Sequence, residues 1–227
     1  ITGSLANPDI VGSAGGDNLR LRSGLTGTDV RNMSVRGQFR DSRLRLTRFA
    51  GDAGPGRVTG SGSVDLANLG AGRGPTIDLR IAANNAELVD RQGLGATVTG
   101  PLRIVSNGVG GTIAGRVRVN EAAWSLGGSE AVQRLPNIQV VEVNRPANRG
   151  EALARSTPWR FLIDATAPSG IDVDGLGLDS EWRGDIVLRG TTDDPRIGGQ
   201  VEVVRGDYTF AGTRFDLTQG RIYFDEN

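Results

Sequence analysis

The chain has 227 residues, and its 35 glycines and 9 prolines lack the regular spacing of a collagen, so they indicate many turns. Its 26 basic residues are all arginine and are matched by 26 acidic residues, and this zero net charge argues against nucleic acid or an anionic membrane surface as a partner. The absence of cysteine and histidine excludes disulfides, zinc–thiolate sites and catalytic sites built on either residue.

Apolar and polar residues alternate along most of the chain, which predicts half-buried β-strands separated by turns. Glycines inside the alternating runs are typical of bulges and bends, so we expect the sheet to curve as it grows. Residues 121–135 and 150–156 have helical patterns, but such short helices cannot carry the architecture. The clearest alternating runs, in chain order, contain Leu19 and Leu21, Leu44 and Leu46, residues 58–66, Ile77, Leu79 and Ile81, and Val117 and Val119.

Little in the sequence favours an enzyme. Carboxylate pairs such as Asp172 and Asp174 could act on a sugar as acid and base, but the acidic residues are spread over turns and polar strand faces, as solvation requires. Residues 172–181 (DVDGLGLDSE) partly match a calcium loop, yet Arg183 stands where an EF-hand needs glutamate, so a structural strand and turn is favoured. We therefore expect no catalytic residue, no metal and no cofactor.

Apolar side chains recur at every second position in residues 159–163 and 201–224. Such rows predict one apolar face, which is either the inside of a closed core or the wall of an open groove. The 6 Phe, 3 Trp and 2 Tyr are few for a closed core of this size, and the sequence predicts no covering helices. Both observations leave the open groove as an alternative to the closed core. The residues predicted to line that groove are Trp159, Phe161, Ile163, Val201, Val203, Tyr208, Phe210, Phe215, Leu217, Ile222 and Phe224.

Residues 175–227 carry a family resemblance. The pattern is a glycine turn with Asp-Pro, followed by Arg-Gly-x-Tyr-x-Phe-x-Gly-x-x-Phe and a final Gly-x-Ile-x-Phe, and it closely resembles the C-terminal domain of the TamB family. The resemblance covers about the last quarter of the chain, and the repetitive strands upstream fit the family without being diagnostic. The matching positions are Gly177, Leu178, Asp194, Pro195, Gly199, Arg205, Gly206, Tyr208, Phe210, Gly212, Phe215, Gly220, Ile222 and Phe224.

The resemblance implies a single β-rich domain over residues 1–227, an elongated, folded-over sheet whose concave groove is hydrophobic and open. It implies a non-enzymatic conduit or chaperone in the periplasm, part of a protein anchored in the inner membrane by a segment outside this sequence. The implied cargo is phospholipid acyl chains or strands of unfolded outer-membrane proteins, for lipid transport, outer-membrane assembly and protein secretion. The implied partner is a TamA-like outer-membrane barrel protein.

We also expect this sequence to be a piece of a longer chain. Family members continue into further terminal strands, so the contact with the barrel partner cannot be assigned to residues here. Unpaired strands near residues 1–5 and 221–224 would favour strand-to-strand dimers or polymers. The alternative architecture is a closed β-solenoid of a surface adhesin or a carbohydrate-active enzyme, whose core would exclude an apolar dye that an open groove binds.

Overall fold

The computed structural model describes residues 2–3, 8–24, 26–67, 73–127 and 157–225. All regular structure in these ranges is β-strand, so the all-β prediction is confirmed. The helix predicted from residue 121 is wrong where it can be checked, because residues 121–125 continue a strand that pairs with both of its neighbours. Residues 128–135 and 150–156, the remainder of the two helix predictions, lie outside the described residues.

Fourteen strands are formed by the described residues, and most of them are 10 to 16 residues long. In chain order they are β1 (Thr2–Gly3), β2 (Pro8–Asp9), β3 (Gly12–Arg22), β4 (Asp29–Arg40), β5 (Arg43–Ala53), β6 (Gly56–Asp65), β7 (Thr76–Arg91), β8 (Leu94–Asn107), β9 (Gly111–Ser125), β10 (Arg160–Gly175), β11 (Leu178–Gly190), β12 (Pro195–Phe210), β13 (Thr213–Asp216) and β14 (Arg221–Phe224).

Strands β3 to β14 form one twelve-stranded sheet whose strand order follows the sequence. Neighbouring strands are antiparallel except β9 and β10, which are parallel. The short strands β13 and β14 pair with successive parts of β12. The first and last strands of the sheet do not pair with each other, and most neighbouring strands are joined as antiparallel hairpins. The predicted open, folded-over sheet is therefore confirmed. The alternative of a closed solenoid, which is a coil of parallel strands, does not describe this fold.

The pairing register places apolar side chains on one face across the whole sheet. Ile81 of β7 lies between Gly60 and Leu102, for example, and Ile163 of β10 lies opposite Leu188. We call this side the apolar face. Its larger side chains include Leu21, Val30, Val35, Phe39, Leu46, Phe49, Val58, Val64, Leu79, Ile81, Val98, Leu102, Ile104, Ile113, Val117, Trp124, Phe161, Ile163, Val173, Trp182, Ile186, Leu188, Ile197, Val201, Val203, Tyr208, Phe210, Phe215, Leu217, Ile222 and Phe224.

Part of the apolar face is buried over β4 to β9, although the described residues contain no helix and, besides this sheet, only the two-residue strand pair β1–β2. Ala53 and Ala86 are both 0% exposed there. A flat single sheet would leave such side chains in water, so the sheet must curl until its own strands cover them. The buried cluster consists of Val30, Ala53, Val58, Ala83, Ala86, Val98 and Val117.

One end of this curl is closed by the turn between β3 and β4. Gly27 pairs with Val89 of β7, Asp90 donates its N–H to the carbonyl of Thr26 at 2.9 Å, and the Thr28 hydroxyl donates to the carbonyl of Leu88 at 2.6 Å. The β5–β6 hairpin turns back before reaching this point, so the sheet loses two strands and β7 meets the β3–β4 turn directly. The interior is therefore enclosed at this end.

Several glycines in this curl cannot be replaced without a clash, and Gly60 and Gly27 are two of them. Gly60 of β6 lies beneath the ring of Phe49, and a methyl group there would come closer to that ring and to the carbonyl oxygen of Arg80 than van der Waals contact allows. Gly27 adopts a φ of +76°, where side chains are strained, and its Cα approaches the backbone of Asp90. Gly60 lies inside a strand, so glycine is needed there for close packing against Phe49 and Arg80 and not for a turn.

We predict that Gly60→Ala lowers the free energy of unfolding by about 1–3 kcal/mol, because the added methyl group must displace a ring and a neighbouring strand. Chemical denaturation of both proteins measures this. Gly95→Ala on β8 is the matched control, since no heavy atom lies within 4 Å of the added methyl group. The control should stay within about 0.5 kcal/mol of the unsubstituted protein. Equal losses in both variants would contradict the close-packing explanation.

Candidate functional site

The residues predicted to line a groove share the apolar face near the last strands of the sheet. Tyr208 lies opposite Phe215, and Val201 lies opposite Ile222. Trp159 comes just before β10 and holds its ring against Gly111 at the start of β9. The sheet therefore brings the β10 residues and the β12–β14 residues onto one continuous surface, separated by the side chains of β11.

Exposure along this surface rises toward the last strands. Phe161 and Val201 are buried, at 9% and 7% exposed, and cannot be reached from solvent without movement. Trp159, Ile163, Val203, Leu217 and Phe224 are half-buried. Phe210 is 63% exposed and Phe215 is 51% exposed. The apolar face is thus closed at the buried cluster within β4–β9, and it is exposed to water at the ends of β8 and β9 and over much of β12–β14.

Sequence reasoning missed three further side chains on the open part of the apolar face, namely Leu94, Trp124 and Ile197. Leu94 at the start of β8 lies opposite Trp124 on β9, and Trp124 lies opposite Val173 on β10. Leu94 is 42% exposed and Trp124 is 51% exposed. Trp124 fell in the segment expected to be helical. The sequence feature that could have identified Trp124 is its position two residues after Ala122. Both residues lie on the apolar face and continue the alternation of β9 beyond a shift in register.

We call the exposed apolar-face side chains of β8, β9 and β12–β14 the open aromatic patch, and two of its rings stack on β12. The rings of Tyr208 and Phe210 are 6.2 Å apart between centroids, with 13° between their planes. An apolar surface of this kind, left in water, is typical of a binding site. The members of the patch are Leu94, Trp124, Ile197, Tyr208, Phe210, Phe215 and Ile222.

The edge of the open aromatic patch depends on a break in the last strand. Residues 217–220 separate β13 from β14 opposite a shift in register in β12. The N–H of Leu217 still donates to the carbonyl of Gly206 at 2.8 Å, and the N–H of Val203 donates to the carbonyl of Gly220 at 2.9 Å. These two hydrogen bonds hold β13 and β14 in line, so Phe215 and Ile222 stay on the same face.

The polar atoms that interrupt the apolar face near the patch are satisfied. Trp182 donates its indole N–H to the hydroxyl of Ser180 at 2.9 Å. That hydroxyl donates in turn to the carbonyl of Val173 at 3.1 Å, and Ser180 is only 4% exposed. Because these groups already have partners, this stretch offers a ligand apolar contact rather than free hydrogen-bonding groups.

The opposite side of the sheet, which we call the polar face, carries arginine–carboxylate pairs between strands. Arg183 and Arg221 both contact Glu202, and Arg205 contacts Glu181. Exposed pairs of this kind contribute little each, but opposite charges across a strand pair favour the observed register. The other pairs of this face are Arg20, Arg22 and Arg31 with Asp29, Arg36 with Asp17, Arg43 with Asp65, Arg103 with Asp78, Arg116 and Arg189 with Asp164, and Arg214 with Asp207.

At Asp29, Asp78 and Glu181, pairing with arginine lowers the pKa of the carboxyl group. The guanidinium of Arg20 donates to Asp29 and holds the pKa of that carboxyl far below its ordinary value. The Arg103 guanidinium lowers the pKa of Asp78 in the same way. The pKa of Glu181 is lowered first by the side chain of Arg205 and then by the backbone N–H of Gly170. Each carboxylate is therefore charged at neutral pH and serves as a structural partner.

Asp172 and Asp174, the carboxylate pair considered for acid–base chemistry, both lie in strand β10. Asp174 accepts a hydrogen bond from the hydroxyl of Ser125 at 2.9 Å and is part of the β10 strand rather than a cleft. The ranges that the structure describes contain no group of three or more acidic residues placed to hold a metal ion. Within those same ranges, no helix has the length and apolar character needed to cross a membrane.

Comparison with known proteins adds a family to this geometry. The family model described as the TamB C-terminal domain matches residues 47–227. The match begins in β5 and reaches far upstream of the 175–227 motif, so it includes both the enclosed and the open parts of the apolar face. No curated protein and no solved structure matched the chain.

We predict a sharp contrast between two arginine substitutions on the apolar face. Val58→Arg places an unpaired charge where the side chain is 5% exposed, and should cost about 3–5 kcal/mol of unfolding free energy. Phe210→Arg lies where exposure is 63%, so its guanidinium reaches water and the loss should be about 1 kcal/mol. Thermal unfolding compares the two. Similar large losses in both variants would mean that β12 is as enclosed as β6.

We also predict that stability falls in acid. Because pairing lowers the folded-state pKa of Asp29, Asp78 and Glu181, their stabilisation is complete above the unfolded-state pKa, about 4, and is lost as pH falls below it. The unfolding midpoint should be level from about pH 7 to pH 5 and drop below about pH 4. Asp78→Asn, which removes one titrating carboxyl, should show a smaller drop. A midpoint that rises in acid would contradict this account of the polar face.

Proposed function

This chain belongs to the TamB family, and we propose that its apolar face is a non-enzymatic surface that shelters hydrophobic cargo from water. Membership supports, at the level of the family, a role in outer-membrane assembly and lipid transport. It also supports a periplasmic segment of a membrane-anchored protein and a TamA-like barrel partner. For this chain, the cargo, its binding surface and the partner are part of the proposal.

The observation that carries the proposal is the exposure of large apolar side chains on one continuous face. The rings of Phe210 and Phe215 lie in water on neighbouring strands, although folding ordinarily hides such groups. Covering them with apolar cargo would gain roughly 25 cal/mol for each Å² removed from water. The open aromatic patch is therefore the contact surface that we propose.

The enclosed end of the sheet limits where cargo can lie. Ala53 and Ala86 are fully buried among β4–β9, and the β3–β4 turn is hydrogen-bonded to β7 at that end. A chain of methylene groups could enter there only by opening these contacts. We therefore place the cargo along β11–β14 and the ends of β8 and β9, where the face is exposed.

Acyl chains fit this surface better than a polypeptide strand does. An acyl chain has no hydrogen-bonding groups along its length, and the polar side chains near the patch, Ser180 and Trp182, already have partners. A polypeptide lying on the face would leave its own N–H and C=O groups without partners. Phospholipid acyl chains are thus the favoured cargo, and strands of outer-membrane proteins are the other candidate of the same class.

Titration of the folded chain with a fluorescent fatty acid tests the proposal. Phe210→Arg combined with Phe215→Arg should weaken binding at least tenfold, about 1.4 kcal/mol, because both charges stand in the path of the acyl chain. Thr209→Arg is the matched control: this exposed residue of β12 alternates with Tyr208 and Phe210 and so points to the polar face. Its affinity should not change.

Two results would contradict the proposal. One is equal weakening by Thr209→Arg and by the double variant, which would show a charge effect without a face preference. The other is the absence of saturable fatty-acid binding by the unsubstituted chain. Competition by an amphipathic strand peptide, but not by phospholipid, would shift the cargo to outer-membrane protein strands.

A further inference from the structure

A trough lies on the polar face of β4–β7, on the side of the sheet away from the open aromatic patch. Its volume is about 630 Å³, and the charged and polar side chains that line it include Arg43, Arg45, Arg80, the carboxylate Asp78, Gln38, Ser61 and Ser63. A second depression of about 710 Å³ adjoins it, sharing Gln38, Arg43 and Arg45. Nothing in the apolar-cargo proposal uses these side chains.

Two arginines of the trough lack the cross-strand carboxylate found elsewhere on the polar face. Arg45 lies opposite Gln38 on one side and Ser63 on the other. Arg80 lies opposite Ser61 on one side and another arginine, Arg103, on the other. Within the described residues neither Arg45 nor Arg80 forms an ion pair, so both guanidiniums are available to a ligand.

The nearby carboxylates are already engaged. Asp65 pairs with Arg43 at 2.7 Å, and Asp78 pairs with Arg103 at 2.9 Å. Arginines placed directly opposite each other, such as Arg80 and Arg103, destabilise a strand pair unless a negative charge lies close by. Asp78 supplies one such charge, and the trough leaves an excess of positive charge beside it.

The charge of the chain is unevenly distributed, with an excess of positive charge in the half that contains the trough. Residues 1–120 contain 15 arginines and 9 acidic residues, whereas residues 121–227 contain 11 arginines and 17 acidic residues. The net charge of zero is therefore the sum of a basic half, which contains the trough, and an acidic half, which contains every member of the open aromatic patch except Leu94. This asymmetry favours an anion at the trough.

We propose that the trough binds a phosphorylated ligand, a phosphate monoester or diester. The guanidiniums of Arg45 and Arg80 supply the paired donors that suit phosphate oxygens, and the hydroxyls of Ser61 and Ser63 and the amide of Gln38 supply neutral donors beside them. The proposal does not depend on the cargo proposal, because the two sites lie on opposite faces.

Isothermal titration of the 227-residue chain with inorganic pyrophosphate at low salt tests this site. The unsubstituted chain should bind saturably, and Arg45→Gln with Arg80→Gln should bind at least tenfold more weakly. The control is Arg57→Gln with Arg118→Gln, which removes the same charge from exposed arginines that do not line the trough and should bind like the unsubstituted chain. Absence of saturable binding, or equal weakening in both double variants, would overturn the proposal.

Flotation with vesicles distinguishes the two sources of phosphate. If vesicles of phosphatidylcholine and phosphatidylglycerol bind the chain and pyrophosphate releases it, the ligand is a lipid headgroup. If pyrophosphate binds and the vesicles do not, the ligand is a free phosphorylated compound.

Should the Arg45 and Arg80 double variant fail to fold, Arg45→Lys keeps the charge but loses the forked donor pair, and should bind pyrophosphate severalfold more weakly. Unchanged affinity in Arg45→Lys would then overturn the role of Arg45.

Discussion

The whole structure depends on a single sheet having to bury its own apolar face. The described residues contain no helix, and besides β3–β14 they contain only the two-residue strand pair β1–β2, so the cover must come mainly from the sheet itself. Glycine at position 60 lets the ring of Phe49 lie over β6, and small side chains such as Ala53 and Ala86 let strands approach from across the curl. Where glycine and alanine allow strands to pack this closely, the apolar face is buried. Where they do not, its side chains remain exposed to water.

The change from closed to open along the sheet gives a physical basis for function. Over β4–β9 the curl and the contact between Gly27 and Val89 complete a core, which supplies the stability of the fold. Over β12–β14 the same alternation of residues continues, but Phe210 and Phe215 stay exposed, with no cover from the part of the chain that the structure describes. The stable part thus holds the exposed part in a fixed shape, and apolar cargo gains the contact that the fold itself does not make.

The two faces of the sheet separate two kinds of chemistry. Because side chains alternate along a strand, each strand carries its apolar residues to one side and its arginines and carboxylates to the other. Most arginines on the polar face meet a carboxylate across a strand pair, as Arg205 meets Glu181. Arg45 and Arg80 do not, and they line the same depression; this combination, rather than the net charge of the chain, is the basis of the proposed phosphate site.

The sequence by itself determined the all-β class, the apolar face and the family, because alternation and the 175–227 motif are local patterns that need no knowledge of the fold. Only the tertiary structure decided which parts of that face are covered. Phe161 and Phe210 look equivalent in sequence, yet one is buried and the other exposed. Trp124 lies in a segment with a helical sequence pattern, but pairing with β8 and β10 makes it part of a strand. Burial depends on which distant strands the curl brings together, and contacts such as Gly27 with Val89 leave no local signal in the chain.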